Sequence, residues 1–130
     1  MSPLETFRFQ LGGRNVWGRH LRYLLTMHLR ESPVPLNVRE LVALCQAEGV
    51  VFDRRPSKVV SDALRWEIGH GRVRRLRRGV YTSSQTPRST VHWIRTRVEI
   101  LRAHLRKLVQ AESAPLTQVP AVGWARPTLI

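Results

Sequence analysis

The chain has 130 residues, of which 42% are apolar, so it is long enough for one domain with a modest core. It carries 22 basic and nine acidic residues, a formal net charge of +13, which predicts a polyanionic partner, most often nucleic acid. A single cysteine, Cys45, excludes an internal disulfide and a multi-cysteine zinc site. Because there is no signal-peptide pattern and no apolar run of membrane-spanning length, we expect a cytoplasmic, nucleoid-associated protein that does not bind membranes.

The positive charge is concentrated in the second half of the chain. Residues 54–107 hold 15 basic and three acidic residues, a net charge of +12, whereas the rest of the chain has a net charge of only +1. Twenty of the 22 basic residues are arginine, which suits bidentate contacts to phosphate and guanine, although a GC-rich genome would produce the same bias. We therefore expect the binding surface to lie in the second half.

The first predicted element is an amphipathic helix that follows a short lead-in segment. Residues 1–16 form this lead-in, in which the pair Gly12-Gly13 interrupts any regular structure. Apolar residues then recur at three- and four-residue spacing, which predicts a helix over about residues 16–31. They are Trp17, Leu21, Leu24, Leu25 and Leu29.

A second helix is predicted in the stretch LNVRELVALCQAEG. Asn37 is its expected N-cap, Glu40 stands three residues later in the capping-box position, and Gly49 supplies a left-handed residue that ends the helix. Its expected buried stripe is Leu41, Leu44 and Cys45. Cys45 is therefore interpreted as a small core residue rather than a nucleophile, since no base is recognisably placed beside it.

A third helix is predicted to begin at Pro56 and to end between Gly69 and Gly71. On a helical wheel Val60, Ala63 and Leu64 share one side. The opposite side is polar and partly basic and consists of Lys58, Ser61, Asp62 and Arg65. Glu67 falls near the apolar side and needs a partner, for which Arg72 and Arg75 are the candidates.

The stretch GRVRRLRRGVY, residues 71–81, has five arginines that alternate with apolar residues in the manner of a β-hairpin. The pattern predicts a strand over about residues 72–76, a tight turn over residues 77–79 and a return strand from Val80.

A long basic amphipathic helix is predicted over residues 86–110. Six apolar residues repeat along it at alternating three- and four-residue spacing, which is typical of a coiled-coil seam: Val91, Ile94, Val98, Leu101, Leu105 and Leu108. We expect this seam to form a homodimer, and the alternative is that it packs on the first helix of its own chain. Residues 111–130 contain three prolines and no periodicity, which predicts a disordered tail.

The order of these elements resembles a winged helix-turn-helix domain, in a mainly α-helical fold class with a small β-hairpin. The resemblance covers about residues 17–85, and its most specific part is LRWEIGHGRVRRLRRGVY, where a helix closes on glycine and leads into a basic hairpin. The chain is similar to the winged-helix modules of small bacterial and phage regulators, and more loosely to the N-terminal module of type IV antitoxins.

The resemblance implies that the third helix enters the major groove of duplex DNA and that the hairpin, the wing, lies on the flanking backbone. The expected recognition-helix contacts are Arg54, Arg55, Ser57, Lys58, Ser61 and Arg65. The expected wing contacts are Arg72, Arg74, Arg75, Arg77 and Arg78. The expected function is transcriptional regulation, as a repressor. The alternatives are RNA binding and an antitoxin-like or adaptor module whose main partner is a protein.

Catalysis is not expected from this sequence. The five histidines are scattered without metal-ligand spacing, and no paired acidic cluster or Gly-rich phosphate loop is recognisable. We therefore expect no cofactor, no metal and no small-molecule substrate.

Overall fold

The computed structural model describes residues 11–121, with side chains through residue 112. Within this range the chain is mainly helical, with one small antiparallel sheet whose strand order is β1-β3-β2. The elements in chain order are α1 (Gly18–Glu31), β1 (Leu36–Asn37), α2 (Val38–Ala47), α3 (Pro56–Gly69), β2 (Val73–Arg77), β3 (Val80–Ser83) and α4 (Arg88–Ala121).

Helix α1 is the centre of the fold and packs against both α3 and α4. The predicted apolar stripe is confirmed, since Leu21, Leu24, Leu25 and Leu29 are all at most 1% exposed. Trp17 is the exception, with 72% of its surface exposed. The backbone of Trp17 is extended and precedes the first helical residue, so its side chain does not follow the helical periodicity.

The predicted capping of α2 is confirmed in detail. The backbone N–H of Glu40 donates to Asn37 Oδ1 at 2.7 Å, and the backbone N–H of Asn37 donates to Glu40 Oε1 at 2.8 Å. Leu41 and Cys45 are buried as expected, but Leu44 is 37% exposed. The side of α2 that faces the core carries Leu41 and Cys45, with Val38 and Val42 packed beside them, and Leu44 lies outside this side of the helix.

Gly49 follows the C-terminal end of α2 and has the expected left-handed backbone, at a φ of +107°. An added Cβ there would lie 2.8 Å from Val109 Cγ2 on α4. Glycine is therefore required both by its backbone conformation and by the close approach of the long helix.

Helix α3 begins at Pro56 as predicted, and Val60, Ala63 and Leu64 face the core. It leads into the predicted hairpin, whose loop contains Gly79 at a φ of +76°. A register shift between Arg75 and Arg77 places a bulge at Leu76. Strand β1 pairs with β3, which fastens the hairpin to the segment before α2.

The apolar seam of α4 packs within its own chain, against α1. Five of its side chains are at most 7% exposed in the single chain, namely Val91, Ile94, Val98, Leu101 and Leu105, and Leu108 is partly exposed. The prediction that these residues form a dimer seam is therefore corrected in favour of the alternative. The first helix presents an apolar side that must be covered, and α4 covers it.

Helix α4 also extends further than expected. Its backbone remains helical to Ala121, whereas disorder was predicted from residue 111 onward. The proline content of this stretch misled the prediction, because a proline removes one helical hydrogen bond without ending every helix that contains it. The remainder of the predicted tail, residues 122–130, lies outside the described residues, as do residues 1–10 of the predicted lead-in.

Candidate nucleic-acid interface

A buried carboxylate joins α1, α3 and the hairpin. Glu67 on α3 is 0% exposed, and its Oε2 accepts a hydrogen bond from Arg72 Nη1 at 3.1 Å. Thr26 Oγ1 on α1 lies 2.6 Å from Glu67 Oε1, and Arg22 Nε lies at an ion-pair distance of 3.6 Å without hydrogen-bond geometry. The cluster fixes the start of β2 relative to α3 and to the core.

Arg72 is thereby removed from the set of predicted DNA contacts. Its side chain is only 17% exposed and bonds to both carboxylate oxygens of Glu67, at 3.1 and 3.3 Å. Of the two predicted partners of Glu67, Arg72 is confirmed. Arg75 is not the partner, because its Nε points to the carbonyl oxygen of Arg77 at 3.4 Å. A guanidinium that compensates a buried carboxylate is not available to a phosphate.

The other four arginines of the predicted wing are exposed: Arg74, Arg75, Arg77 and Arg78. Among the residues that the structure describes, none of them lies within salt-bridge distance of a carboxylate. The hairpin is short and twisted at its bulge, so the four guanidiniums are confined to a small ribbon. The ribbon therefore carries a dense positive charge that internal acids do not neutralise.

The outer face of α3 continues this basic surface. Lys58 and Arg65 are exposed and Ser61 is partly exposed, opposite the buried side of the helix. Lys58 Nζ lies 3.4 Å from Asp62 Oδ2, an exposed i, i+4 pair that contributes little and leaves the ammonium accessible. Asp62 is the one acidic residue on α3 besides the buried Glu67.

The residues that open α3 are also exposed. Arg54 and Arg55 immediately precede the helix, and Ser57 lies in its first turn. The N-cap residue of α3, Arg55, makes no side-chain cap hydrogen bond. All six predicted recognition-helix residues thus lie at the surface of one element and of the loop that leads into it.

Sequence reasoning missed Trp66. Its indole is 61% exposed, and it borders a shallow surface depression on α3 together with Lys58, Asp62, Arg65, Gly69 and His70. The His70 ring lies nearly parallel to the indole, with a centroid distance of 6.3 Å and an interplanar angle of 24°. The sequence did contain a signal of its exposure. Trp66 lies two residues after the core residue Leu64, and on a helical wheel this spacing places it on the side opposite the apolar one.

Acidic residues elsewhere are engaged with arginines on the side of the molecule formed by α1 and α4. Arg102 on α4 makes two hydrogen bonds to Glu31, at 2.8 and 2.9 Å, and contacts Glu48 as an ion pair. The hydrogen bond from Arg102 lowers the pKa of Glu31 and raises the pKa of Arg102. Arg14 Nη1 donates one hydrogen bond to Glu112 Oε1 on α4. None of these three acids pairs with an arginine of the hairpin.

Cys45 occupies the interior, as expected for a core residue. Burial raises the pKa of its thiol to about 12, and the nearby carboxylate of Glu48 acts in the same direction. The thiolate that a nucleophile requires is therefore strongly disfavoured.

In residues 11–112 no group of three or more histidine, cysteine, aspartate or glutamate side chains is placed to hold a metal ion. No helix in the described range is long and apolar enough to cross a membrane.

The arrangement therefore combines a buried Glu67 cluster, an exposed row of four arginines and a polar helix face beside it. Such a surface can bind a polyanion through the arginines and can present side chains to it from the helix. A comparison of the chain with family models, with curated proteins and with solved structures finds no match.

Proposed function

We propose that this chain is a winged helix-turn-helix protein that binds duplex DNA and represses transcription. Helices α2 and α3 form the helix-turn-helix, and the hairpin β2–β3 is the wing. The outer face of α3 enters the major groove, and the wing arginines contact the flanking phosphates.

One observation supports this proposal above the others. Arg74, Arg75, Arg77 and Arg78 are exposed without carboxylate partners in the described part of the chain, on a hairpin that starts four residues after α3 ends. Four unneutralised guanidiniums on so small a ribbon repel one another, and the repulsion is relieved when a polyanion binds. The cluster of Glu67 and Arg72 holds the ribbon in a fixed position beside α3.

The dimensions of α3 suit this role. A helix of 14 residues is about 21 Å long and about 10–12 Å wide with its side chains, and the major groove of B-DNA is about 12 Å wide. The wing follows directly from the C-terminal end of the helix. When the helix occupies the groove, the wing lies over the adjacent backbone, where phosphates rather than base edges are presented.

The proposal is tested by measuring affinity for a random-sequence duplex at several salt concentrations, by fluorescence anisotropy of a labelled duplex. Each phosphate that the protein neutralises contributes about −0.9 to the slope of log K against log salt, so four wing contacts alone give a slope of about −3.6. Raising the salt from 50 to 200 mM should then weaken binding by roughly 150-fold. An affinity that is weak at 50 mM and unchanged at 200 mM would contradict phosphate binding.

A charge-matched pair of variants assigns the effect to the wing. Replacing the four exposed wing arginines with alanine removes four positive charges and should reduce the slope by about 3.6. The control removes four exposed positive charges from α4, namely Arg88, Arg95, Arg106 and Lys107. An equal loss in both variants would mean that net charge, not the wing, determines binding.

The roles of helix and wing are separated by sequence preference. Lys58→Ala, Ser61→Ala and Arg65→Ala should mainly change which duplexes are preferred, by roughly 1–3 kcal/mol for a lost bidentate base contact. The wing variant should weaken binding to all duplexes alike. The opposite pattern would show that the wing reads the bases.

A protein partner is the second candidate function, and Trp17 is the observation that favours it. This tryptophan is 72% exposed and borders an apolar notch with Phe52 and Val59. Exposed tryptophans are enriched in protein interfaces. This candidate replaces the first if duplex binding proves weak and insensitive to salt.

A further inference from the structure

Trp66 exposes a large apolar surface in the last turn of α3, where it borders a depression with Lys58 and Arg65 of the proposed DNA-binding face. With 61% of its surface accessible, it exposes far more than Ile68, at 38%, the other large apolar side chain of α3 that faces solvent. An indole left in water does not contribute its burial free energy to folding, so packing within the chain does not account for its presence. The exposed ring is therefore available as a contact surface.

Neighbouring side chains hold the indole in place. The guanidinium carbon of Arg22 lies 5.3 Å from the ring centroid, within the range of a cation–π contact, and the His70 ring lies alongside at 6.3 Å. Arg22 is itself held by the ion pair with the buried Glu67. Trp66 is thus an aromatic group with a restricted orientation, and such groups lose little conformational entropy when they bind.

The chemistry around Trp66 is complementary to one feature of the major groove. Lys58 and Arg65 border the same depression and supply hydrogen-bond donors for phosphate or guanine. Three of the four bases are recognised in the major groove by hydrogen bonds alone, whereas thymine also presents its C5-methyl group. An exposed, oriented indole that shares a depression with two cationic side chains is suited to an apolar contact of this kind.

We propose that Trp66 recognises thymine in the major groove, through contact between its indole and the thymine methyl group. The preferred duplex then carries a thymine next to the positions contacted by Lys58 and Arg65. This inference rests on the proposed function and deepens it, because it names the base that the α3 face selects.

The test begins with duplexes selected from a random pool by the full chain. Each thymine of a selected duplex is then replaced in turn by deoxyuridine, which removes only the methyl group. At one position the wild-type chain should lose affinity by about fourfold, the factor that corresponds to one buried methyl group. Trp66→Ala should bind the thymine duplex roughly five- to tenfold more weakly and should not distinguish thymine from deoxyuridine at that position.

Trp93→Ala is the matched control, since Trp93 is a partly exposed tryptophan on α4 whose ring contacts Tyr23 and Arg97. It should retain both the affinity and the discrimination between thymine and deoxyuridine. Thermal unfolding of both variants confirms that the fold is intact before their affinities are compared.

The outcomes distinguish this inference from the function on which it rests. Salt-dependent duplex binding that Trp66→Ala leaves unchanged, with the thymine preference intact, overturns the inference and retains the proposed function. Absence of duplex binding by the wild-type chain overturns both. A loss in Trp66→Ala that is larger for single strands than for duplexes overturns the thymine contact, because it shows that the indole stacks on unpaired bases.

Discussion

Removal of the buried carboxylate at Glu67 tests the cluster that holds the hairpin against α3. Glu67→Ala leaves the guanidiniums of Arg22 and Arg72 without their carboxylate, in an environment where their side chains are only 23% and 17% exposed. Thr26 loses one neighbour but can still donate to the carbonyl oxygen of Arg22, 2.9 Å away. The loss of unfolding free energy in Glu67→Ala therefore comes mainly from the two arginines, which no longer have a carboxylate partner.

The magnitude follows from their partial burial. Breaking a buried ion pair by removing one partner typically costs 3–5 kcal/mol, and because both guanidiniums retain some contact with water we expect about 3 kcal/mol here. For a domain of this size that corresponds to a fall in Tm of roughly 10–15 °C. Removing both charges in the double variant Glu67→Met/Arg72→Met should recover part of this loss, because apolar replacements of a buried pair are often neutral.

Urea unfolding followed by circular dichroism measures the free energy of unfolding of each variant. Asp62→Ala is the control, since among the described residues the ion-pair partner of Asp62 is the exposed Lys58, and its loss should change stability by less than about 0.5 kcal/mol. The reasoning is refuted if Glu67→Ala is as mild as this control, or if the double variant is no more stable than the single one.

Three further predictions concern other parts of the fold. Leu101→Asp should unfold the monomer, because Leu101 is 3% exposed in the core, whereas the neighbouring and partly exposed Ile100→Asp should stay folded; circular dichroism distinguishes the two. Asn37→Ala should lower the free energy of unfolding by about 1 kcal/mol through loss of the capping box, as measured in urea. Because the pKa of Glu31 is lowered from 4.5 in the folded state, its stabilisation is present above pH 4.5 and is lost as the pH falls through the lower folded value. Glu31→Gln should therefore reduce the loss of stability, measured by urea unfolding, as the pH falls below about 4.5.

Features determined by a few neighbouring residues were predictable from the sequence. The capping box of Asn37 and Glu40, the first helical residue Pro56, and the turn at Gly79 each depend on backbone conformations that few residue types favour. The partner of Glu67 was also among the candidates, because the next element had to return past the end of α3. At such positions the residue type and its near neighbours in the sequence determine the backbone conformation.

The location of the α4 seam was not predictable, because a heptad pattern states only that one side of a helix is apolar. The spacing of Ile94, Val98, Leu101 and Leu105 is equally compatible with packing against a second chain and with packing against the apolar side of α1. Trp66 presents the related difficulty in the site. Its place on the wheel was a signal of exposure that the sequence analysis did not use, and only the positions of Arg22 and His70 show that the ring is oriented.

Ion pairs within the fold neutralise part of the charge of this chain, whose net charge is +13, and leave the arginines of the hairpin unneutralised. Glu31, Glu48, Glu67 and Glu112 each pair with an arginine of another segment, so these acids neutralise Arg102, Arg22, Arg72 and Arg14 inside the fold or along α1 and α4. The guanidiniums at the end of the hairpin have no carboxylate within ion-pair distance among the described residues. Cations without a carboxylate partner are the ones that can bind the phosphates of a polyanion. We therefore expect the salt dependence of binding to reflect the four wing arginines and the few cations of α3, with a slope between about −4 and −6. A slope near −12, which would correspond to the whole net charge, would show that DNA binds over the entire surface and that the wing has no special role.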